Sequence, residues 1–156
     1  MNIYSLLELS TILVNPNISG KEKLLNQMID TLKNSVTETQ LEDIRTAVFE
    51  REKIMSTGVG KNLAIPHGKV SSIDEHLASF ALLKDPIDFD SIDGNPVKMA
   101  FLLIGPEKKN SAHIKLLSRI SRLMNNSSFR DSLSECKTEQ DIYDMFELEE
   151  KRYFGN

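Results

Sequence analysis

Apolar positions change their spacing several times along this chain, and each change marks an element. Leu24, Leu25, Met28, Ile29 and Leu32 recur at helical spacing behind Ser19-Gly20-Lys21-Glu22, a stretch with the form of a capping box. Thr37 with Gln40 repeats that start signal ahead of Leu41, Ile44 and Val48, so two helices are expected early in the chain. The stretches 77–83 and 97–104 are apolar on both faces, as in strands covered on two sides, and Asp93-Gly94-Asn95-Pro96 is a turn signal between them. Ile87 and Phe89 add a short edge segment. Asn110 or Ser111 is placed to cap a third helix through Met124, and two shorter helices are predicted near 129–135 and 138–149. No linker, repeat or low-complexity segment interrupts this alternation. It predicts one α/β domain over residues 1–156, its core within about 6–149, with a single sheet covered by helices on both faces.

Between the second helix and the first long strand lies Ser56-Thr57-Gly58-Val59-Gly60-Lys61-Asn62-Leu63-Ala64-Ile65-Pro66-His67-Gly68. Leu63 and Ile65 alternate with Ala64 as in a short strand. Pro66 cannot donate to a sheet ladder, and Gly68 tolerates backbone angles that other residues avoid. The chain is therefore expected to turn at His67 and leave its ring at a strand end, where it can accept and give up a group. His113 is the second informative position. It shares a helical face with Leu116, Leu117, Ile120 and Met124, so it points inward from the first turn, where free backbone N–H groups and the helix dipole favour an anion. Taken alone, such a histidine reads as a core residue. His76 is expected to sit exposed, ahead of the strand that begins at Leu77.

Composition narrows the partners. With 156 residues and 40% hydrophobic content the chain can bury a sizeable core. A net charge of −4, with no clustered Lys/Arg stripe, argues against nucleic acid. The lone Cys136 cannot form an internal disulfide, the N-terminus carries no signal region, and the longest apolar run, 99–104, is far too short for a bilayer. No direct membrane insertion and a cytoplasmic location are expected. Rival motifs fail: a nucleotide-binding P-loop would need a glycine at Met55 and Ser or Thr at Asn62, and a dinucleotide loop would need a glycine at Leu63. A zinc site from His67, His76 and His113 with Asp74 or Glu75 is open to the composition, but no ligand pair has the close helical spacing of known zinc enzymes.

The 56–68 segment resembles the active-site signature of the IIA components of the bacterial phosphotransferase system, fructose/mannitol type, which include the nitrogen-regulatory IIA proteins. The resemblance runs from about Leu6 to Phe146. It takes in Arg51-Glu52-Lys53 upstream and Ala112-His113-Ile114-Lys115-Leu116-Leu117 downstream, with the arginine sixteen residues before and the second histidine forty-six after the histidine of the signature. It implies a mixed sheet flanked by helices, phosphorylation of His67, and supporting roles for His113 and Arg51. A guanidinium fork at Arg51 suits phosphoryl oxygens. Thr57 and Asn62 either bond phosphoryl oxygens or stabilise the loop.

The implied chemistry is a phosphohistidine relay. A neutral nitrogen of His67 takes the phosphoryl group from the histidine phosphocarrier protein, while its other nitrogen donates to a backbone carbonyl. No cofactor, metal or nucleotide is implied. Val59, Val70 and Ile73 are either rim residues for docking the donor or core residues. Two outcomes share this chemistry: a regulatory protein of the nitrogen branch, whose phosphorylation state controls partner binding, or a sugar-transport component that passes the group to a IIB domain. The absence of fused IIB or IIC sequence and the Gly58-x-Gly60 and Ala64–Lys69 stretches lean toward the regulatory branch.

Overall fold

The computed structural model describes residues 2–155. Two short 3-10 turns lead into β1 (Ile12–Val14), followed by α1 (Lys21–Asp30) and α2 (Glu38–Ile54). Then come β2 (Gly58–Gly60), β3 (Leu63–Ala64), β4 (His67–Val70), and the long strands β5 (Leu77–Ile87) and β6 (Val97–Pro106). Helices α3 (Asn110–Met124), α4 (Ser127–Ser134) and α5 (Glu139–Phe154) complete the chain.

The six strands form one mixed sheet in the order β1-β5-β6-β3-β2, with β4 continuing the line of β3 along β6. β1 runs parallel to β5, and both β3 and β4 run parallel to β6; β5 with β6 and β2 with β3 are antiparallel. Strand alternation sorts the core into two layers. Ala78, Phe80 and Leu82 of β5 and Met99, Phe101 and Leu103 of β6 face α3, α4 and α5, while Ala81, Leu83, Ala100, Leu102 and Ile104 face α1 and α2. Both long strands are thus buried on two sides, as their continuous apolar sequence predicts. The expected mixed sheet with helices on both faces is what forms.

Local signals succeed unevenly. Thr37 and Gln40 make the expected reciprocal cap of α2: the Gln40 N–H donates to Thr37 Oγ1 at 3.2 Å, and the Thr37 N–H donates to Gln40 Oε1 at 2.9 Å. α1 instead starts from Gly20 with no side-chain cap, so the Ser19–Glu22 box does not form. α3 begins one step earlier than a cap at Asn110 allows. Lys109 is its N-cap residue, without a side-chain bond, and Asn110 Oδ1 accepts from Lys69 Nζ. Ile87 pairs with Val97 as the end of β5, and Phe89 is fully buried beyond the strand, so there is no separate edge segment.

The register of β4 on β6 sets the direction of the site. His67 lies beside Leu103 and Lys69 beside Gly105, which turns both side chains to the α3 face; Gly68 and Val70 turn to α2. A Cβ at Gly68 would come within 3.3 Å of the Val48 backbone nitrogen, so glycine is what lets α2 press on this strand.

Candidate functional site

His67 opens β4 rather than ending a strand, a difference from the expected turn, because the strand-like run resumes immediately after Pro66. Its Nδ1 lies 2.9 Å from the Ile65 carbonyl oxygen. A carbonyl only accepts, so Nδ1 carries the proton and Nε2 keeps its lone pair. The acceptor carbonyl is itself held. Ile65 N–H donates to Thr57 O at 2.9 Å, and Thr57 is clamped by the buried Glu52, whose two oxygens accept from the Thr57 N–H at 2.8 Å and the Thr57 hydroxyl at 2.5 Å. Lys21 Nζ, 2.9 Å from Glu52 Oε2, balances the carboxylate. A chain of hydrogen bonds therefore links Glu52, through residues Thr57 and Ile65, to the ring of His67. Glu52 was not singled out from the sequence. One signal was available, a carboxylate five residues before a Thr at a helix C-terminus, but burial is what gives it weight.

His113, in the first turn of α3, is buried at 3% exposure and faces the same side of the sheet. The two imidazole centroids are 6.2 Å apart, at an angle of 53°. That spacing can seat one tetrahedral phosphoryl group between the rings, at the positive end of the α3 dipole. Arg51, in the last turn of α2, donates from Nη1 to the Met55 carbonyl at 2.9 Å. Its positive charge reaches His67 and helps to lower that ring's pKa.

The histidines are held neutral. Burial is the main cause of the lowered pKa of His67, with Arg51 and Lys69 adding to it and the Ile65 bond and Glu52 opposing it. Burial, with His76, His67 and Lys69 nearby, lowers His113 to about 4. A neutral ring with a free lone pair beside a second neutral imidazole, with positive charge from Lys69 and Arg51 acting on it, is chemically able to receive a dianion.

Three sequence expectations need correction or refinement here. His76 is 5% exposed, not exposed ahead of its strand; it continues the β5 alternation onto the α3 face and lies against His113. Val70 and Ile73 are core residues against α1 and α2, because the β4 register turns Val70 away from His67; Val59 is exposed. Thr57 Oγ1 donates to the Glu52 carboxylate, and Asn62 Nδ2 donates to Pro96 O at 2.8 Å, at the tight β2–β3 turn where Gly60, Lys61 and Asn62 all take positive φ. Of their two readings, loop support describes the bonds these side chains make.

No helix among the described residues is long and apolar enough to cross a membrane. A groove of about 400 Å³ runs beside the site between the β2–β3 hairpin and α3, lined by Val59, Lys61, Ile65, Arg122 and Met124 among others.

Known proteins resemble this chain in sequence and fold. A nitrogen regulatory protein of Bradyrhizobium diazoefficiens is 42% identical over 106 residues, covering 65% of this chain and 69% of its own length. The fructose-specific EIIABC component of the phosphotransferase system of Bacillus subtilis is 32% identical over 151 residues, 97% of this chain, which spans only 24% of that longer protein. The crystal structure of the nitrogen regulatory protein IIA-Ntr from Neisseria meningitidis superposes with a TM-score of 0.86 at 28% identity, covering 92% of this chain and 98% of its own. The model for "Phosphoenolpyruvate-dependent sugar phosphotransferase system, EIIA 2" matches residues 5–148, a span that holds the whole sheet and both facing histidines, and this chain therefore belongs to that family.

Proposed function

We propose that this protein is a phosphocarrier that accepts a phosphoryl group on Nε2 of His67 from the histidine phosphocarrier protein. The observation that carries the reading is the fixed tautomer of His67: Nδ1 is tied to Ile65, which leaves the free lone pair on Nε2, and the ring centroid lies 6.2 Å from that of His113. In the step, the Nε2 lone pair attacks phosphorus as the P–N bond of the donor's phosphohistidine breaks, and the bonding electrons return to the donor's imidazole. Charge spreads over three equatorial oxygens. His113, Arg51 and the α3 first-turn N–H groups stabilise it, and Thr57 with Asn62 keeps the loop in place.

Incubation with the phosphorylated phosphocarrier should add one acid-labile phosphoryl group, and His67→Ala should abolish it without unfolding the chain. Normal labelling of that variant would overturn the assignment.

The regulatory branch is the better-supported use of this chemistry. The 42% identity and the 0.86 TM-score both belong to nitrogen regulatory proteins. On this reading the cytoplasmic protein binds its targets according to its phosphorylation state, since the modification adds about −1.5 to −2 charge to a neutral site. The fructose relative, aligned over 97% of this chain, supports a second use, in which a IIB domain takes the group from His67 for sugar uptake. Supplying candidate IIB proteins to the labelled chain separates the two: loss of label to a IIB domain supports transport, and its retention, with targets released on phosphorylation, supports regulation.

A further inference from the structure

Lysines around the two facing histidines are held in two different ways. Lys21, Lys108 and Lys109 each face a carboxylate, those of Glu52, Asp74 and Glu75. Lys69 makes no ion pair among the described residues; its Nζ donates instead to a neutral oxygen, Asn110 Oδ1, at 2.5 Å. A full charge thus stands beside the site with no anion of the protein's own to neutralise it, which leaves it available to an anion that comes and goes.

Strand and helix together place that charge. Lys69 follows His67 by two residues on β4, so the two side chains leave the same face of the sheet, toward α3, from points about 6.6 Å apart. Its register partner on β6 is Gly105, and the His113 ring lies over that glycine: a Cβ there would be 2.6 Å from His113 Nδ1. Asn110, at the other end of the bond, opens α3 and precedes His113 by three residues, the spacing of helix-surface neighbours about 5–6 Å apart. The ammonium therefore reaches from the strand that carries one ring to the helix that carries the other, and the rings themselves are 6.2 Å apart. Its charge acts on both. Lys69 helps to lower the pKa of His67 and of His113, whereas Arg51 is a cause only at His67.

We propose that Lys69 is a further catalytic residue, whose ammonium leaves Asn110 Oδ1 and donates to an oxygen of the phosphoryl group as that group arrives at Nε2 of His67. The inference rests on the reading of His67 as the phosphoryl acceptor. It adds no bond-making step to the transfer, for Lys69 keeps its proton and only exchanges one acceptor oxygen for another. The exchange favours transfer because a dianion attracts the ammonium with full Coulomb strength, while an amide oxygen offers only a partial charge. Little opposes it. The lysine stem is flexible, and Asn110 is exposed, so water takes up the vacated oxygen.

Rapid-quench transfer from the phosphorylated phosphocarrier compares wild type with Lys69→Met, which keeps the stem and loses the charge. The rate should fall by about 10-fold or more, short of the 10²–10³-fold of an enclosed donor because Lys69 is exposed to screening solvent. Lys69→Arg should recover most of it. Lys108→Met removes an equal charge that is already paired with Asp74, and should transfer like wild type. An unchanged rate in Lys69→Met overturns the proposal, and so does an equal loss in Lys108→Met, which would reduce Lys69 to a share of the overall field. In wild type, phosphorylation should also move the Asn110 carboxamide NMR signals toward those of unmodified Lys69→Met; signals that stay in place rule out the exchange. One measurement needs no phosphoryl group. The pKa of His67 in the unmodified protein should rise in Lys69→Met and stay unchanged in Lys108→Met, and indifference to Lys69 would put the ammonium out of reach of the ring and overturn the proposal. If that titration responds to Lys69 but His67 of wild type takes no label, it is the phosphocarrier reading that fails, and the proposal with it.

Discussion

Acidification should destabilise this protein through His113, by an amount that the structure sets. In the unfolded chain His113 titrates near 6.5, and in the folded chain near about 4. Between these values the unfolded state holds a proton that the folded state refuses, so stability falls as pH falls, starting at the unfolded value and levelling off below the folded one. At about 1.4 kcal/mol for each pH unit, the interval amounts to about 3 kcal/mol. The ring is only 3% exposed, so solvent screening does little to reduce it. His67 and His76 are lowered by burial too and act in the same direction, which makes the whole-protein curve a poor test. A comparison with His113→Gln isolates the increment. Urea unfolding of both proteins at intervals from about pH 7 to about pH 4 gives two stability curves, and carboxylate contributions common to both cancel in the difference. Whatever the offset between them at neutral pH, wild type should lose about 3 kcal/mol relative to the variant across the window. Parallel curves would refute the claim that His113 is buried neutral.

Arg51→Ala should slow phosphoryl transfer by about 10²–10³-fold while His67 still labels, since one pre-organised charge is lost and the nucleophile is untouched; equal initial rates in a rapid-quench assay would contradict this. Glu52→Ala should cost about 1–3 kcal/mol in urea unfolding, because the Thr57 N–H and hydroxyl lose their acceptor in a buried setting, and should weaken the Nδ1 preference of His67 in nitrogen-15 spectra. An unaltered His67 spectrum would reduce Glu52 to a structural anchor. Gly105→Ala should depress transfer as well, because its Cβ would fall against both His76 and His113, and a fully active, equally stable variant would show that these rings need no fixed spacing. His67→Asp should weaken target binding partly, a carboxylate being smaller and less charged than a phosphoryl group; pull-downs that retain targets equally with wild type and His67→Asp would argue against a charge switch.

The two-layer core was legible because the stretches 77–83 of β5 and 99–104 of β6 are apolar on both faces, and no other element covers that pattern as economically as a sheet between helix layers. The α2 cap was legible because Thr37 and Gln40 act on each other across one turn. β1, β2 and β4 were not predicted as strands: each has four residues or fewer, below the length at which alternation carries information, and each owes its state to pairing with a neighbour. The same limit applies to the site. Position along the chain could mark His67 and His113 as notable, but it could not place His76, because exposure there depends on the absence of a side chain at Gly105, twenty-nine residues away. The choice between rim and core at Val70 stayed open for a related reason. A single step of strand register decides whether a residue faces α3 or α2, and nothing local fixes that register.

On the proposed phosphocarrier reading, burial at this site follows from what it must hold. An exposed histidine titrates near neutral pH and would be charged in part, so its lone pair would be available only some of the time. Burial lowers the pKa of His67, which on the proposed reading keeps it a nucleophile, and the lowered pKa of His113 leaves no standing positive charge behind it to hold phosphate or another free anion. The charge that the transferred group does need comes from residues at the margin: Arg51 at the end of α2, Lys69 on β4, and the α3 first turn, all able to act on a dianion once it arrives. Neutral inside and cationic at the edge is an arrangement suited to accepting a phosphoryl group reversibly, because a site that bound the dianion too strongly would not release it to the next protein.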